Sequence, residues 1–387
     1  VTRTDWMASG GVLLLLLVVA LAVGFMHDYS LYLHQWRAIL AGGDPWAAQF
    51  QGREIPFNAY GPLHAAFALP YGLHPLAPKA IFACLCAVVF ALCLVEARGG
   101  RPGAQVDHRR LALLFPLAPA VIIAIPAFGN NDIVPASLTF LALMAHSRGL
   151  RTVAGLCIGL GALVKFYPLL FAAFFALNRG RLDLRVPLVA LGVFLAGMGL
   201  AYAVWGDSVL APFLFGSGRE AKMLSVLRFL RSVEVVEASA LYAHLLDRNA
   251  LYALGAVALV GLHAWRARWP WELAVLLGTL SVFVTYKVGH PQFFVSWLAV
   301  QAWILARRPD PEAVLAARAL LPVSVYLSLF QVTYLVSRLV DGAYLANGWF
   351  FVREYGSLPF LACVAWGLWR ARAVVFRRWR RPAGWSL

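Results

Sequence analysis

Between Ala8 and Phe25 the chain runs without a charged side chain, and apolar stretches of 16 to 25 residues recur along its whole length. Few other features constrain folding so tightly. A segment this long and apolar spans bilayer hydrocarbon, where every backbone N–H and C=O must be paired within the protein, so only helix bundles and closed barrels qualify. A porin-type barrel would read as alternating ten-residue strands, which these runs do not. The fold class expected is therefore all-α and polytopic. Composition agrees, with 61% hydrophobic and 13% charged residues, against about 25% charged in soluble domains. A soluble Rossmann or TIM-barrel enzyme is excluded.

Helical spans are expected near 8–25, 79–97, 111–127, 132–147, 186–205, 249–265, 271–287, 292–306, 319–336 and 356–371. The first reads as a retained span rather than a cleaved signal, because no small-residue cleavage site precedes the polar stretch after it. Residues 152–178 are too long for one upright span and contain Pro168 just after Lys165. They read as two half-helices that turn near Lys165–Pro168. On this count of about twelve crossings, the basic clusters Arg98–Arg110, Arg148–Arg151, Arg179–Arg185, Arg266–Arg268, Arg307–Arg318 and Arg370–Arg381 share one side. The positive-inside rule makes that side cytoplasmic, with both termini inside. The same placement assigns the net charge of +15 to membrane topology rather than to a nucleic-acid partner.

Asp28, Asp44, Glu54, Asp132, Asp207, His290, Asp341 and Glu354 then gather on the opposite, extracytoplasmic side. The whole chain, 1–387, reads as one membrane domain with two long external loops, 26–61 and 206–245. Tyr32, Trp36, Ile39 and Leu40 recur at helical spacing, as do Leu224, Leu227 and Leu230. Both patterns suit interfacial helices. The five cysteines lie in apolar segments and are assigned neither chemistry nor a disulfide.

Several polar residues sit where they are costly or well placed. A charge such as Lys165 within an apolar run costs about 2.5–3.5 kcal/mol, which marks it either as an anion contact or as the partner of a buried acid. Asp28 follows the first span, where a carboxylate against apolar walls suits proton removal from a hydroxyl. Asn130, Asn131 and Asp132 cluster at an outer turn, and Lys287, His290 and Gln292 form another that suits a phosphate. Gly155 and Gly159 form a small-xxx-small packing pattern. No Ser-His-Asp, Walker, HExxH or EF-hand spacing is present. The residues alone define an outward polar pocket.

Those residues also carry a resemblance. Asp28-Tyr29, Gly43-Asp44-Pro45-Trp46, Ala59-Tyr60-Gly61-Pro62-Leu63, Gly129-Asn130-Asn131-Asp132, the run from Ala154 to Lys165-Phe166-Tyr167-Pro168, and Gln292-Phe293-Phe294 with Trp297 resemble, in order, the C-type (GT-C) integral-membrane glycosyltransferases. The nearest patterns are the catalytic subunit of GPI mannosyltransferase I and the actinobacterial polyprenol-phosphate-mannose-dependent mannosyltransferases. The resemblance implies a GT-C-like fold, a polyprenyl-phosphate-sugar donor, a lipid-linked or glycan acceptor, and mannose as the sugar. It implies Asp28 as general base. His290, with Lys165 and Lys287, would receive the donor phosphate. Tyr60, Asn130, Asn131, Asp132, Tyr167 and Gln292 would bind substrate.

The first loop departs from the DxD arrangement of the GPI enzyme: position 26 is Met26, beside His27 and a single acid. One acid gives no basis for a divalent metal, so no metal or cofactor is expected. The Arg-, Ala- and Leu-rich composition suits a bacterial inner membrane, with the active site on its outer face. The alternative from another class is a secondary transporter or lipid flippase with an outward polar cavity. Transport favours polar residues near the midplane and an inverted repeat, whereas here they collect at one face.

Overall fold

A computed structural model describes residues 2–25, 27–46, 58–100, 106–339, 352 and 354–376. Of the positions singled out above, Met26, Glu54, Asp341 and Arg381 lie outside the described residues, as does the side chain of His27.

Thr2 opens α1 (Arg3–Ala22) with a capping box: its hydroxyl accepts from the Asp5 N–H, and the Asp5 carboxylate accepts from the Thr2 N–H, satisfying donors that a helix start leaves free. After α2 (His27–Leu40), a 3₁₀ turn at Pro62–Phe67 leads into α3 (Ala68–Leu73) and the long α4 (Ala77–Gly100). Next come α5 (His108–Leu114), α6 (Pro119–Ile122) with a π-type turn at Ile123–Ala127, α7 (Ile133–Ser147), α8 (Arg151–Ala162), α9 (Pro168–Phe175) and α10 (Arg185–Trp205). Short helices α11 (Ala211–Ser217), α12 (Val226–Arg231), α13 (Glu234–Glu237) and α14 (Ala240–Asp247) precede α15 (Asn249–Arg266) and α16 (Trp271–Thr285). The bundle closes with α17 (Val295–Arg307), α18 (Pro311–Ala319), α19 (Leu321–Leu339) and a last long helix, Ser357–Arg370. Strands among the described residues form two-residue pairs: β1 (Leu177–Asn178) runs antiparallel to β2 (Arg181–Leu182), and β3 (Lys222–Met223) runs parallel to β4 (Val288–Gly289).

The protein is thus all-α and polytopic. By length and composition, four described helical segments can cross a membrane (Arg3–Ala22, Ala77–Gly100, Arg185–Gly216 and Pro311–Ser337), or up to six if two bent pairs each count as one span. Several expected spans are shorter or bent: α5 and α6 meet at 51°, and α14 and α15 at 76°. Leu188, Leu195, Leu200 and Val204 of α10 stand more than half exposed, a surface suited to lipid.

The break at Lys165–Pro168 is present, and packing gives its shape. A Cβ on Gly155 would strike Val186 and Val189, one on Gly159 would strike Ala190 and Val193, and one on Gly197 would strike Leu163. Helices α8 and α10 therefore run parallel, so α9 must return to the level where both begin. An ion pair between Arg151 and Asp183 ties those two starts together.

Buried acids gather the basic loops at one end. Asp5 accepts from Arg98 at 2.6 Å and contacts His108 Nε2 at 2.6 Å. Glu96 receives Arg148, Arg307 (2.7 Å) and the Trp303 indole N–H (3.1 Å), while Asp310 receives Arg179 at 2.6 Å. Helices α1, α4, α7 and α17 each reach this end, so their other ends converge on Asp28, Asp132 and His290.

Two expectations are corrected here. The apolar stripe of α2 is only partly free for lipid: Tyr32 and Trp36, like Tyr29, are fully buried, with Trp36 against His64, Phe67 and Tyr71, whereas Leu40 at the end of the helix is half exposed. Nor is the stretch from Arg219 to Val236 one amphipathic helix. It contains β3 and short helices, with Leu224 and Leu227 buried inward and Arg228 paired with Glu354. In both cases an apolar stripe specifies burial without saying whether protein or lipid provides it.

Candidate active site

The π-type turn Ile123–Ala127 shapes the far end of the bundle. Its carbonyls accept from the residues that follow, Ile125 from the Gly129 N–H at 2.7 Å and Ala124 from the Asn130 N–H at 3.2 Å. Gly129 has φ +76 and lies so close to Tyr29 that a Cβ would stand 2.5 Å from Cδ2, a position that only glycine fills without strain. The turn delivers Asn130, Asn131 and Asp132 buried, just before α7.

The Asp132 carboxylate meets Lys165 there. Lys165 Nζ is 2.7 Å from Asp132 Oδ1 and lies over the rings of Phe293 (4.8 Å) and Tyr60 (5.3 Å). Asp132 Oδ2 has no hydrogen-bond partner among the described residues. Backbone pairing fixes Tyr60 beside the lysine: Gly61 N–H donates to Val164 (3.0 Å) and Leu63 N–H to Leu163 (2.9 Å). The Trp46 indole N–H grips the Tyr60 carbonyl at 3.1 Å, which gives both aromatic motifs one structural purpose.

Asp28 lies in the first turn of α2, half-buried, where the helix dipole favours a carboxylate. Gln292 Nε2 donates to its Oδ2 at 3.5 Å. Asp28 interacts electrostatically with Tyr32, Tyr60 and Asp132. Tyr167 shares a 3.1 Å hydrogen bond with Ser296 and interacts with Asp132. His290 Nε2 lies 2.9 Å from an Arg219 guanidinium nitrogen.

Nearly all the site residues expected from sequence are therefore brought together. Lys287 is the exception: its ammonium turns to the Leu246 carbonyl at 3.5 Å, and its N–H bonds Asn249 at 2.7 Å. Arg219, His64 and Ser296 were not anticipated. The Gly216-Ser217-Gly218 breaker before Arg219 was the available signal that a loop, not a helix, holds it. His64 Nδ1 lies 2.9 Å from Asn131 Nδ2, and Asn131 Oδ1 accepts from the Tyr32 hydroxyl at 3.4 Å. Among the described residues no group of three or more His, Cys, Asp or Glu side chains is placed to hold a metal ion.

A carboxylate facing cations across a polar centre suits acid–base group transfer, and comparison with known families decides which kind. A family model described as Glycosyltransferase family 87 matches residues 58–325, more than half of the chain. The chain belongs to glycosyltransferase family 87. It is a membrane glycosyltransferase, which decides against the transport reading. The family 87 match contains Tyr60, Asn130, Asn131, Asp132, Lys165, Tyr167, Arg219, His290 and Gln292, while Asp28 precedes it. No curated protein and no solved structure shows significant similarity to the chain.

Proposed function

We propose that the protein moves a hexose, mannose by resemblance, from a polyprenyl-phosphate donor to a hydroxyl of a lipid-linked or glycan acceptor on the extracytoplasmic face of a bacterial inner membrane. The supporting observation is the Gln292–Asp28 contact. It joins the first-turn carboxylate to the segment carrying His290, beside Lys165, at the end opposite the arginine-bound acids. With the positive-inside rule, that opposition supports an outward site. In this reading the shorter and bent helices also cross the membrane, with the α8–α9 pair as two half-spans, for about twelve passages.

In this reading Asp28 accepts the acceptor's hydroxyl proton as the oxygen bonds to the sugar's anomeric carbon. The bond from that carbon to the phosphate oxygen breaks, and its electron pair leaves with polyprenyl phosphate. Attack opposite the leaving group inverts the anomeric centre. A base of this kind contributes about 10²–10⁴-fold. Gln292 orients the base, Tyr60 and Tyr167 wall the sugar, and the Lys165–Asp132 pair with Asn130 and Asn131 supplies polar contacts. The cationic corner at His290 receives the phosphate, where charge develops.

The test presents polyprenyl-phosphate-mannose and polyprenyl-phosphate-glucose to nanodisc-embedded protein with lipid acceptors. Transfer from the mannose donor supports the reading, preference for glucose corrects the sugar, and no consumption of either donor overturns the donor class.

A further inference from the structure

His290 was the obvious cation for the donor phosphate, and its hydrogen bond speaks against that role. A guanidinium carries five N–H donors and no acceptor. With Arg219 NH2 2.9 Å from His290 Nε2, the ring nitrogen must accept, which puts the imidazole hydrogen on Nδ1 and leaves the ring neutral. Burial, and then the neighbouring cations Arg219, Lys165 and Lys222, disfavour a positive charge on the ring.

Arg219 has the opposite character. Among the described residues no carboxylate forms an ion pair with it, whereas Lys165 is matched by Asp132. Its guanidinium lies over the Phe215 ring at 5.2 Å and interacts with Tyr286, Tyr60 and Asp28. That environment leaves a planar, permanently charged fork with donors to spare, the group best matched to two phosphate oxygens.

The two residues are also held in register. Lys222 N–H donates to the Lys287 carbonyl and Leu224 N–H to the Gly289 carbonyl, each at 2.9 Å, and Ser225 Oγ donates to Lys287 at 3.1 Å. Gly289 lies so near that a Cβ would stand 2.5 Å from the Leu224 carbonyl. The loop that carries Arg219 is thus latched to the one that carries His290.

From this geometry we infer that Arg219 is the cation that meets the departing phosphate, and that His290 is an uncharged positioning residue that aims it; this rests on the polyprenyl-phosphate reading above. As the anomeric bond breaks, the electron pair settles on a phosphate oxygen to which Arg219 donates hydrogen bonds. Arg219 keeps its proton throughout.

The experiment compares Arg219→Gln, Arg219→Lys, His290→Gln and His290→Leu in nanodiscs. It reads binding of polyprenyl monophosphate, kcat and KM for the donor, and the rate across the range in which an ordinary histidine titrates, around pH 6.5. Gln retains an acceptor near the Nε2 position and Leu does not. His290→Gln should keep kcat within about tenfold of wild type, while His290→Leu and Arg219→Gln should each lose about 10²–10³-fold. Arg219→Lys should recover part of that loss. The wild-type and His290→Gln pH profiles should coincide.

A His290→Gln protein as inactive as His290→Leu, together with a wild-type rate that falls as pH rises through the histidine range, overturns the inference. So does monophosphate binding unchanged in Arg219→Gln. Imidazole nitrogen NMR of the resting protein checks the tautomer without turnover: hydrogen on Nδ1 alone supports the assignment, and a doubly protonated ring contradicts it. Failure of wild type to bind polyprenyl monophosphate overturns the donor reading instead, a result distinct from each of these.

Discussion

Lys165 and Asp132 face each other at 2.7 Å with both side chains buried. Taken alone in an apolar segment, Lys165 looks like an unpaired charge held for a ligand. The carboxylate delivered by the π-type turn makes it half of a structural pair as well. Removing one member of such a pair leaves the other charged and unsolvated, a loss of about 3–5 kcal/mol. Lys165→Met and Asp132→Asn should each lower the unfolding temperature in detergent, and the double variant should recover much of the loss. Single variants as stable as wild type would show that the pair is not desolvated.

At the opposite end, Glu96 is buried and holds Arg148, Arg307 and Trp303. Because both arginines keep access to water, Glu96→Gln should cost less, about 1–3 kcal/mol, and should leave the KM for the donor unchanged. Thermal unfolding and donor kinetics on the same preparation check this. An altered KM at full stability would argue that the two ends are coupled.

Gly61 approaches the Leu163 carbonyl so closely that a Cβ has no room, and its N–H is the bond that seats Tyr60. Gly61→Ala should reduce both folded yield and turnover. Gly192→Ala, with nothing within 4 Å of the added carbon, serves as the control. Equal behaviour of the two variants in yield and turnover would contradict the assigned packing.

Much of this fold was legible in the sequence because lipid-crossing helices announce themselves through apolar length, and Pro168 after Lys165 marked the broken segment. The environment of each helix was less legible. The stripe of Tyr32 and Trp36 suits lipid and protein alike, and only the fold shows that His64, Phe67 and Tyr71 cover it. Long-range pairings were hidden for a related reason. Asp28 and Gln292 lie in segments far apart along the chain, and no local periodicity encodes their meeting. Arg219 was obscured because its neighbours read as an amphipathic helix, whereas β3 pairing with β4 turns that stretch toward the site.

The most direct measurement is sugar transfer by wild type and Asp28→Asn in parallel, from polyprenyl-phosphate-mannose in nanodiscs, with unfolding temperatures taken on both. The expected result is transfer by wild type and a loss of about 10²–10⁴-fold in kcat by an equally stable variant with donor binding intact. Transfer by Asp28→Asn at the wild-type rate would contradict the assignment of Asp28 as the base.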